Sequence, residues 1–196
     1  MSETVFQSMR ENIDKIRETM SIAAEKAGRK PEDILLCAAC KTRTIQEVRF
    51  SAELDIDIFG ENHAQELTEK YDAGAYLGKP SHFIGHLQTN KVKKVVGRAS
   101  LIQSVDSPRL LAAISSEAGK RGITQDILLE VNIGGEESKS GAASSELWSL
   151  ADTAAGTANV RIRGLMAIPP MSDSESVMRG YFSDMRHLFE KLCSRY

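Results

Sequence analysis

The segment that decides the fold is "ILLCAACKTRTIQEV", residues Ile34–Val48. Its apolar residues run without interruption from Ile34 to Cys40, as they do in a strand that is covered on both faces. The turn that follows, "KTRT", contains no glycine, whereas an open doubly wound sheet that binds a nucleotide usually has a glycine-rich turn after its first strand. The segment therefore favours a closed (β/α) barrel, which accepts functional residues at the end of every strand.

The rest of the chain alternates between strand-like and helix-like segments. An amphipathic helix is predicted from Ser2 to Ala27, and Gly28 ends it. The predicted strands are Ile34–Lys41, Ile56–Glu61, Ser81–Gly85, Leu101–Val105, Ile127–Ile133 and Ile162–Ile168. The predicted helices between and after them are Thr44–Leu54, Ala64–Ala73, Lys91–Val96, Pro108–Gly122, Ser144–Ala155 and Ser174–Leu192. This order predicts an α/β fold of the (β/α)8 barrel type with a parallel sheet, in which only six strand–helix units are present.

The composition narrows the classes of function. The chain has 196 residues, of which 41% are hydrophobic, and this suits a single domain over residues 1–196 that includes the N-terminal helix (1–28). The formal net charge of −2 gives no reason to expect nucleic acid or a membrane surface as a partner. Three cysteines do not make a disulfide framework, so we expect a cytoplasmic protein. The Cys37-x-x-Cys40 spacing lies within a predicted strand, which favours packing over redox chemistry.

Lys41 is the first candidate for chemistry. Strand alternation places it on one face with Cys37 and Ala39, whose small side chains leave space beside the amine. A partly desolvated lysine has a lowered pKa and can condense with an aldehyde to give a Schiff base. The alternative is a lysine that extends into solvent from the end of a strand. Spacing alone leaves both interpretations open and favours the second.

Polar residues also follow the second and third predicted strands. Asn62 is a candidate N-cap, with Gln65 three positions later to complete a capping box. His82 and His86 lie on a strand and a turn, and neither cysteines nor carboxylates cluster with them, so no metal site is expected.

The two last predicted strands are followed by loops of different character. The loop after the fifth strand contains Gly134-Gly135, which could approach a ligand, and Lys139, which with Ser138 and Ser140 could hold an anion. The sixth strand ends in a turn whose Met166 and Ile168 could form an apolar wall.

Five motifs occur together in this order: "KTR" (41–43), "FGEN" (59–62), "HFIGHLQTNK" (82–91), "NIGGEESKSG" (132–141) and "RGLMAIPP" (163–170). The sequence closely resembles the pyridoxal 5′-phosphate (PLP) homeostasis protein family, whose barrel looks like the N-terminal domain of alanine racemase. The resemblance implies PLP as cofactor, with Lys41 forming the internal aldimine. It implies that Asn62, His82 and Met166 lie around the cofactor ring.

The resemblance also implies a role in vitamin B6 homeostasis without a defined turnover reaction. Such a protein holds PLP, limits free PLP and delivers it to apo PLP-enzymes, and we expect it to be a monomer with no catalytic residues and no metal. Two alternatives remain: a PLP-dependent racemase-like enzyme, and a Schiff-base aldolase that acts without cofactor. Alanine racemases add a β domain with a catalytic tyrosine, for which 196 residues leave no room.

Family chains continue past the position of Tyr196. They have a seventh strand that ends in a Ser-x-Gly-Met-Ser type loop and an eighth near an Arg-x-Gly-x-x-x-Phe-Gly type end, and barrels commonly bind phosphate in the loops after these strands. The sequence therefore leads us to expect a C-terminally incomplete barrel without this phosphate grip.

Overall fold

The computed structural model describes residues 3–136 and 140–196. Its helices are α1 (Glu3–Lys26), α2 (Ile45–Ser51), α3 (Ala64–Asp72), α4 (Val92–Val95), α5 (Pro108–Lys120), α6 (Leu147–Ala155) and α7 (Glu175–Arg195). Short 3₁₀ turns span Pro31–Asp33 and Thr89–Lys91. Its strands are β1 (Cys37–Ala39), β2 (Ile58–Glu61), β3 (Ser81–Phe83), β4 (Leu101–Val105), β5 (Gln125–Glu130) and β6 (Val160–Met166). None of the helices described is both long enough and apolar enough to cross a bilayer.

The six strands follow one another through the sheet in chain order, from β1 to β6. The pairs β1–β2, β4–β5 and β5–β6 are parallel. A doubly wound sheet reverses its strand order at a switch point, and the order observed here has no reversal. The prediction of a barrel-type α/β fold with six strand–helix units is therefore confirmed over the described residues.

Contacts divide the chain into two compact units, Met1–His82 and Phe83–Tyr196. In the first unit, every residue of β2 is buried. The ring of Phe59 on this strand stacks on the ring of Tyr76, with 5.6 Å between the ring centroids. Helix α1 is attached by Arg17, whose guanidinium contacts the carboxylate of Asp57 at 2.6 Å. An apolar strand under aromatic cover thus forms the core of this unit.

In the second unit, α5 and α6 pack against β5 and β6. Fully buried aliphatic side chains form its core: Ile102, Leu111, Ile114, Ile127, Leu129 and Leu147. Helix α5 begins where Ser107 accepts a hydrogen bond from the backbone N–H of Leu110, with Pro108 at the first helical position. Both features are typical of helix N-termini, because the first turn of a helix has unpaired N–H groups.

Strand β1 is shorter than the apolar run that predicted it. The prediction was Ile34–Lys41, but only Cys37–Ala39 is a strand, and Leu35 is 60% exposed. Just before the strand, the backbone N–H of Leu36 donates to the carboxylate of Asp57 at 2.6 Å. At Leu36 a hydrogen bond to a side chain takes the place of a backbone hydrogen bond between strands. The hydrophobic pattern of the sequence does not indicate this substitution.

Strand β5 begins two residues before its predicted start, at Gln125. The side chain of Gln125 is only 3% exposed. Its amide donates to the carbonyl of Ala99 at 3.1 Å and accepts from the backbone N–H of Gly97, also at 3.1 Å. A buried and fully bonded amide extends the strand where the sequence shows only a polar residue.

Candidate functional site

Lys41 lies in a tight turn directly after β1. This turn, residues 40–43, is called the Lys41 turn below, and the N–H of Arg43 closes it by donating to the carbonyl of Cys40 at 3.0 Å. Thr42 has a φ of 65°, in the left-handed region that a β-branched residue rarely adopts. The side chain of Lys41 is exposed, in agreement with the second interpretation of its spacing and not with partial desolvation: the strand ends one residue before Cys40, and the turn carries the side chain outward. The primary amine is accessible to a ligand.

A buried ionic cluster lies beneath this turn. Lys70 on α3 is 3% exposed, and its ammonium donates to the carbonyl of Cys40 at 2.7 Å. It also contacts both carboxylate oxygens of Glu61, at 2.9 and 3.0 Å, and Oε2 of Glu66 at 3.1 Å. The hydroxyl of Tyr76 donates to Glu61 at 3.2 Å. We call Lys70, Glu61, Glu66 and Tyr76 the Lys70 cluster.

The environment shifts the pKa values of the acids in this cluster in different directions. Burial raises the pKa of Glu61, which is fully buried, and the hydrogen bonds from Lys70 and Tyr76 act against that rise. Burial also acts to raise the pKa of Glu66, but hydrogen bonds from Lys70 and from the N–H of Thr42 outweigh it and lower that pKa. Glu66 is therefore ionised at neutral pH and holds both a lysine and a backbone amide.

Asn62 directly follows the neighbouring strand β2, at the same level of the sheet as Lys41. In the β1–β2 register Ala39 pairs with Gly60, and Lys41 and Asn62 each follow two residues later. Oδ1 of Asn62 is buried and accepts no hydrogen bond within the described residues. The predicted capping box is wrong, because α3 begins one residue later, after His63, with no side-chain cap. The amide of Asn62 is thus left for another partner.

The other two predicted site residues lie in strands. His82 is the central residue of β3 and is 9% exposed, and burial lowers its pKa to about 4, so it is neutral at pH 7. Met166 is half-buried at the end of β6, where it pairs with Glu130. Lys41, Asn62 and His82 belong to the first unit, and Met166 belongs to the second.

The glycine-rich loop after β5 packs against protein. A side chain at Gly134 would place its Cβ 2.3 Å from Cγ of Pro170, so the glycine is required by the turn that follows β6. The predicted anion site falls partly outside the described residues, since Ser138 and Lys139 lie there.

The cysteines of the CxxC motif are poor nucleophiles. Burial raises the pKa of Cys37 to about 11 and that of Cys40 to about 12, the latter with a contribution from Glu61. Cys193 on α7 is exposed. The first two are packing residues, as the sequence predicted.

Comparison with known proteins identifies the family. The model of the alanine racemase N-terminal domain family matches residues 6–196. The chain is 38% identical over 186 residues to the pyridoxal phosphate homeostasis protein of Aquifex aeolicus (strain VF5), covering 95% of this chain and 82% of the relative. The chain belongs to the pyridoxal phosphate homeostasis protein family.

Solved structures agree with this assignment. An unknown protein from Bifidobacterium adolescentis superposes with a TM-score of 0.88 at 33% identity, covering 95% of this chain and 79% of that one. PipY of Synechococcus elongatus PCC7942, solved with PLP bound, superposes with a TM-score of 0.72 at 26% identity, covering 90% of this chain and 82% of that one. The family fold is the α/β fold of the alanine racemase N-terminal domain.

Three buried polar residues of this family member were missed from the sequence. No role was assigned to Glu61 or Lys70 from the sequence, although the buried positions of α3, at Ala64, Leu67 and Lys70, recur every three residues. Glu130 ends the apolar strand β5 and is 5% exposed, and its Oε2 has no partner among the described residues. Burial, with a contribution from Asp106, raises its pKa to about 7. For all three residues, the sequence feature that indicates burial is a charged residue at a position where the pattern expects an apolar one.

Proposed function

We propose that this chain binds PLP through a covalent bond to Lys41 and serves vitamin B6 homeostasis as a carrier, without a turnover reaction of its own. The observation that carries the proposal is the accessible amine of Lys41 on a turn that a buried cluster holds in place. The names of the relatives and the PLP bound to PipY support the choice of cofactor.

The residues of the first unit fit this cofactor. PLP supplies an aldehyde, and the nitrogen of a lysine amine bonds to the aldehyde carbon with loss of water. Lys41 offers such an amine, and Asn62, one strand away, offers a buried carbonyl oxygen that accepts no hydrogen bond from residues 3–136 or 140–196. On the family resemblance, His82 and Met166 are assigned to the surroundings of the ring. Neutral His82 would add no charge there.

The remaining features of the proposal follow from the family and the composition. The carrier is proposed to act in the cytoplasm as a monomer and to deliver PLP to apo-enzymes. The racemase-like alternative predicts turnover of amino acids. The aldolase alternative predicts a protein that is colourless until a substrate is trapped, whereas a PLP carrier is yellow as purified.

The first test replaces the amine. Lys41→Ala should abolish both the yellow absorbance band and the borohydride-fixed cofactor, because no primary amine remains in the turn. Lys41→Arg should fail as well, since a guanidinium keeps the charge but is not a nucleophile at neutral pH. Lys91→Ala, which removes another exposed lysine, is the matched control and should behave as the wild type.

Mass spectrometry of the reduced and digested protein locates the label. We expect the pyridoxyl group on the peptide that contains Lys41. A label found mainly on Lys91 or Lys139, or a band that survives in Lys41→Ala, would show that the cofactor is held elsewhere.

A further inference from the structure

We propose that Lys70 is a positioning residue for Lys41: with Glu66 it fixes the backbone on both sides of Lys41 and so presents the amine to the cofactor. The inference rests on the proposed function of Lys41, and it concerns residues that touch the turn and not the ligand.

The two contacts with the turn flank Lys41. The Lys70 ammonium binds the carbonyl of Cys40, the residue before it, at 2.7 Å. Oε2 of Glu66 accepts from the N–H of Thr42, the residue after it, at 3.0 Å. Lys70 and Glu66 also bind each other at 3.1 Å. One ion pair on α3 therefore holds both peptide groups between which Lys41 is placed.

The ammonium has no freedom to turn away. A lysine ammonium has three N–H donors. Those of Lys70 are directed to three groups: the Cys40 carbonyl, the Glu61 carboxylate and the Glu66 carboxylate. Glu61 is fully buried and held by a further bond from Tyr76. Since a buried ion pair often adds little to stability compared with apolar residues of equal size, its specific contribution here is geometric.

Thr42 shows why the turn needs this support. Its φ of 65° is unfavourable for a β-branched residue, so the free turn would relax to another conformation. The charged bond from Glu66 to its N–H opposes that relaxation. Glycine adopts positive φ at no steric cost, and a glycine at this position would need less support.

The experiment compares three folded variants by PLP titration, absorbance and borohydride trapping. Glu66→Gln keeps the size of the side chain but removes its charge, and because Glu66 is partly exposed the variant should fold. We expect it to bind PLP about tenfold more weakly through Lys41, the effect of losing a charge-assisted hydrogen bond. Thr42→Gly combined with Glu66→Gln should recover most of that loss. Glu69→Gln, an exposed change on the same helix, is the matched control and should match the wild type.

Two readouts do not depend on bound cofactor. The backbone amide proton of Thr42 should shift upfield in the NMR spectrum of Glu66→Gln, while thermal unfolding stays cooperative. The double variant Glu61→Gln/Lys70→Met leaves no unpaired buried charge, so it should keep its fold. Its affinity for PLP should fall at least as far as that of Glu66→Gln. The positioning role is overturned if Glu66→Gln folds and binds PLP like the wild type. It is also overturned if adding Thr42→Gly to Glu66→Gln does not restore PLP binding. Survival of the band in Lys41→Ala would instead overturn the proposed function.

Discussion

His82 shows how a single buried side chain links the stability of this protein to pH. Imidazole in water is protonated below a pKa of about 6.5. In the fold, burial lowers the pKa of His82 to about 4, so the folded state excludes a proton that the unfolded chain binds. Between these two values the unfolded state carries more protons, and stability is lost as the pH falls.

We therefore predict that His82 contributes a loss of up to about 3 kcal/mol in the free energy of unfolding as the pH falls from 6.5 to 4. His82→Gln should lack this contribution, because its amide does not titrate. Urea denaturation of both proteins at pH 7.5, 6 and 4.5 measures it, with the exposed His63→Gln as control. If the difference between wild type and His82→Gln were the same at every pH, the burial of a neutral imidazole would be contradicted.

Helix α2 begins directly after the Lys41 turn, and a complete capping box defines its first residue. The hydroxyl of Thr44 accepts from the N–H of Glu47 at 3.2 Å, and Glu47 accepts in return from the N–H of Thr44 at 2.8 Å. The helix has only seven residues, so its own backbone bonds add little stability. The cap therefore contributes much of what keeps this element in place.

Replacement of the cap should be measurable. Thr44→Ala is expected to lower the free energy of unfolding by about 1 kcal/mol, since it leaves the backbone N–H of Glu47 without its partner. Thr44→Ser keeps the hydroxyl and should retain most of the stability in chemical denaturation. Equal losses in the two variants would mean that the methyl group and not the hydroxyl stabilises the helix start.

These elements also show where sequence reasoning succeeds. The six strands follow from hydrophobic runs, which are local properties, although the first run was predicted to continue to Lys41 and the strand ends at Ala39. The cap was assigned to Asn62 because asparagine is a common N-cap and Gln65 follows at the spacing of a capping box, although the helix starts at Ala64 as predicted and His63 is its N-cap. Lys70 binds the carbonyl of Cys40, 30 positions away, and a charged residue is predicted to be exposed until such partners are known.

At the scale of the whole molecule, the proposed carrier role predicts binding of the cofactor without turnover. Racemisation requires a positioned acid and base on both faces of the substrate carbon. Tyr76 is a poor candidate for either, because its hydroxyl donates to Glu61 and burial raises its pKa. Lys41 alone cannot place an acid and a base on both faces of the substrate carbon.

We accordingly predict no amino-acid chemistry above the background. Deuterium incorporation at Cα of alanine or serine, measured by NMR with PLP present, should not exceed that of free PLP at the same concentration. Lys41→Ala serves as the control for catalysis at the site. Exchange clearly above the background that disappears in Lys41→Ala would make this protein an enzyme.

The unequal burial of the three thiols decides where electrophilic reagents attack. The thiolate is the reactive form, and a pKa of about 11 or 12 leaves almost none of it at Cys37 and Cys40 near neutral pH. Cys193 is exposed near the end of α7. A maleimide fluorophore therefore attaches selectively to α7 in the natural sequence. The labelled chain remains unmodified at β1 and the turn after it, so cofactor loading and its transfer to an acceptor can be followed by fluorescence on the unmutated protein.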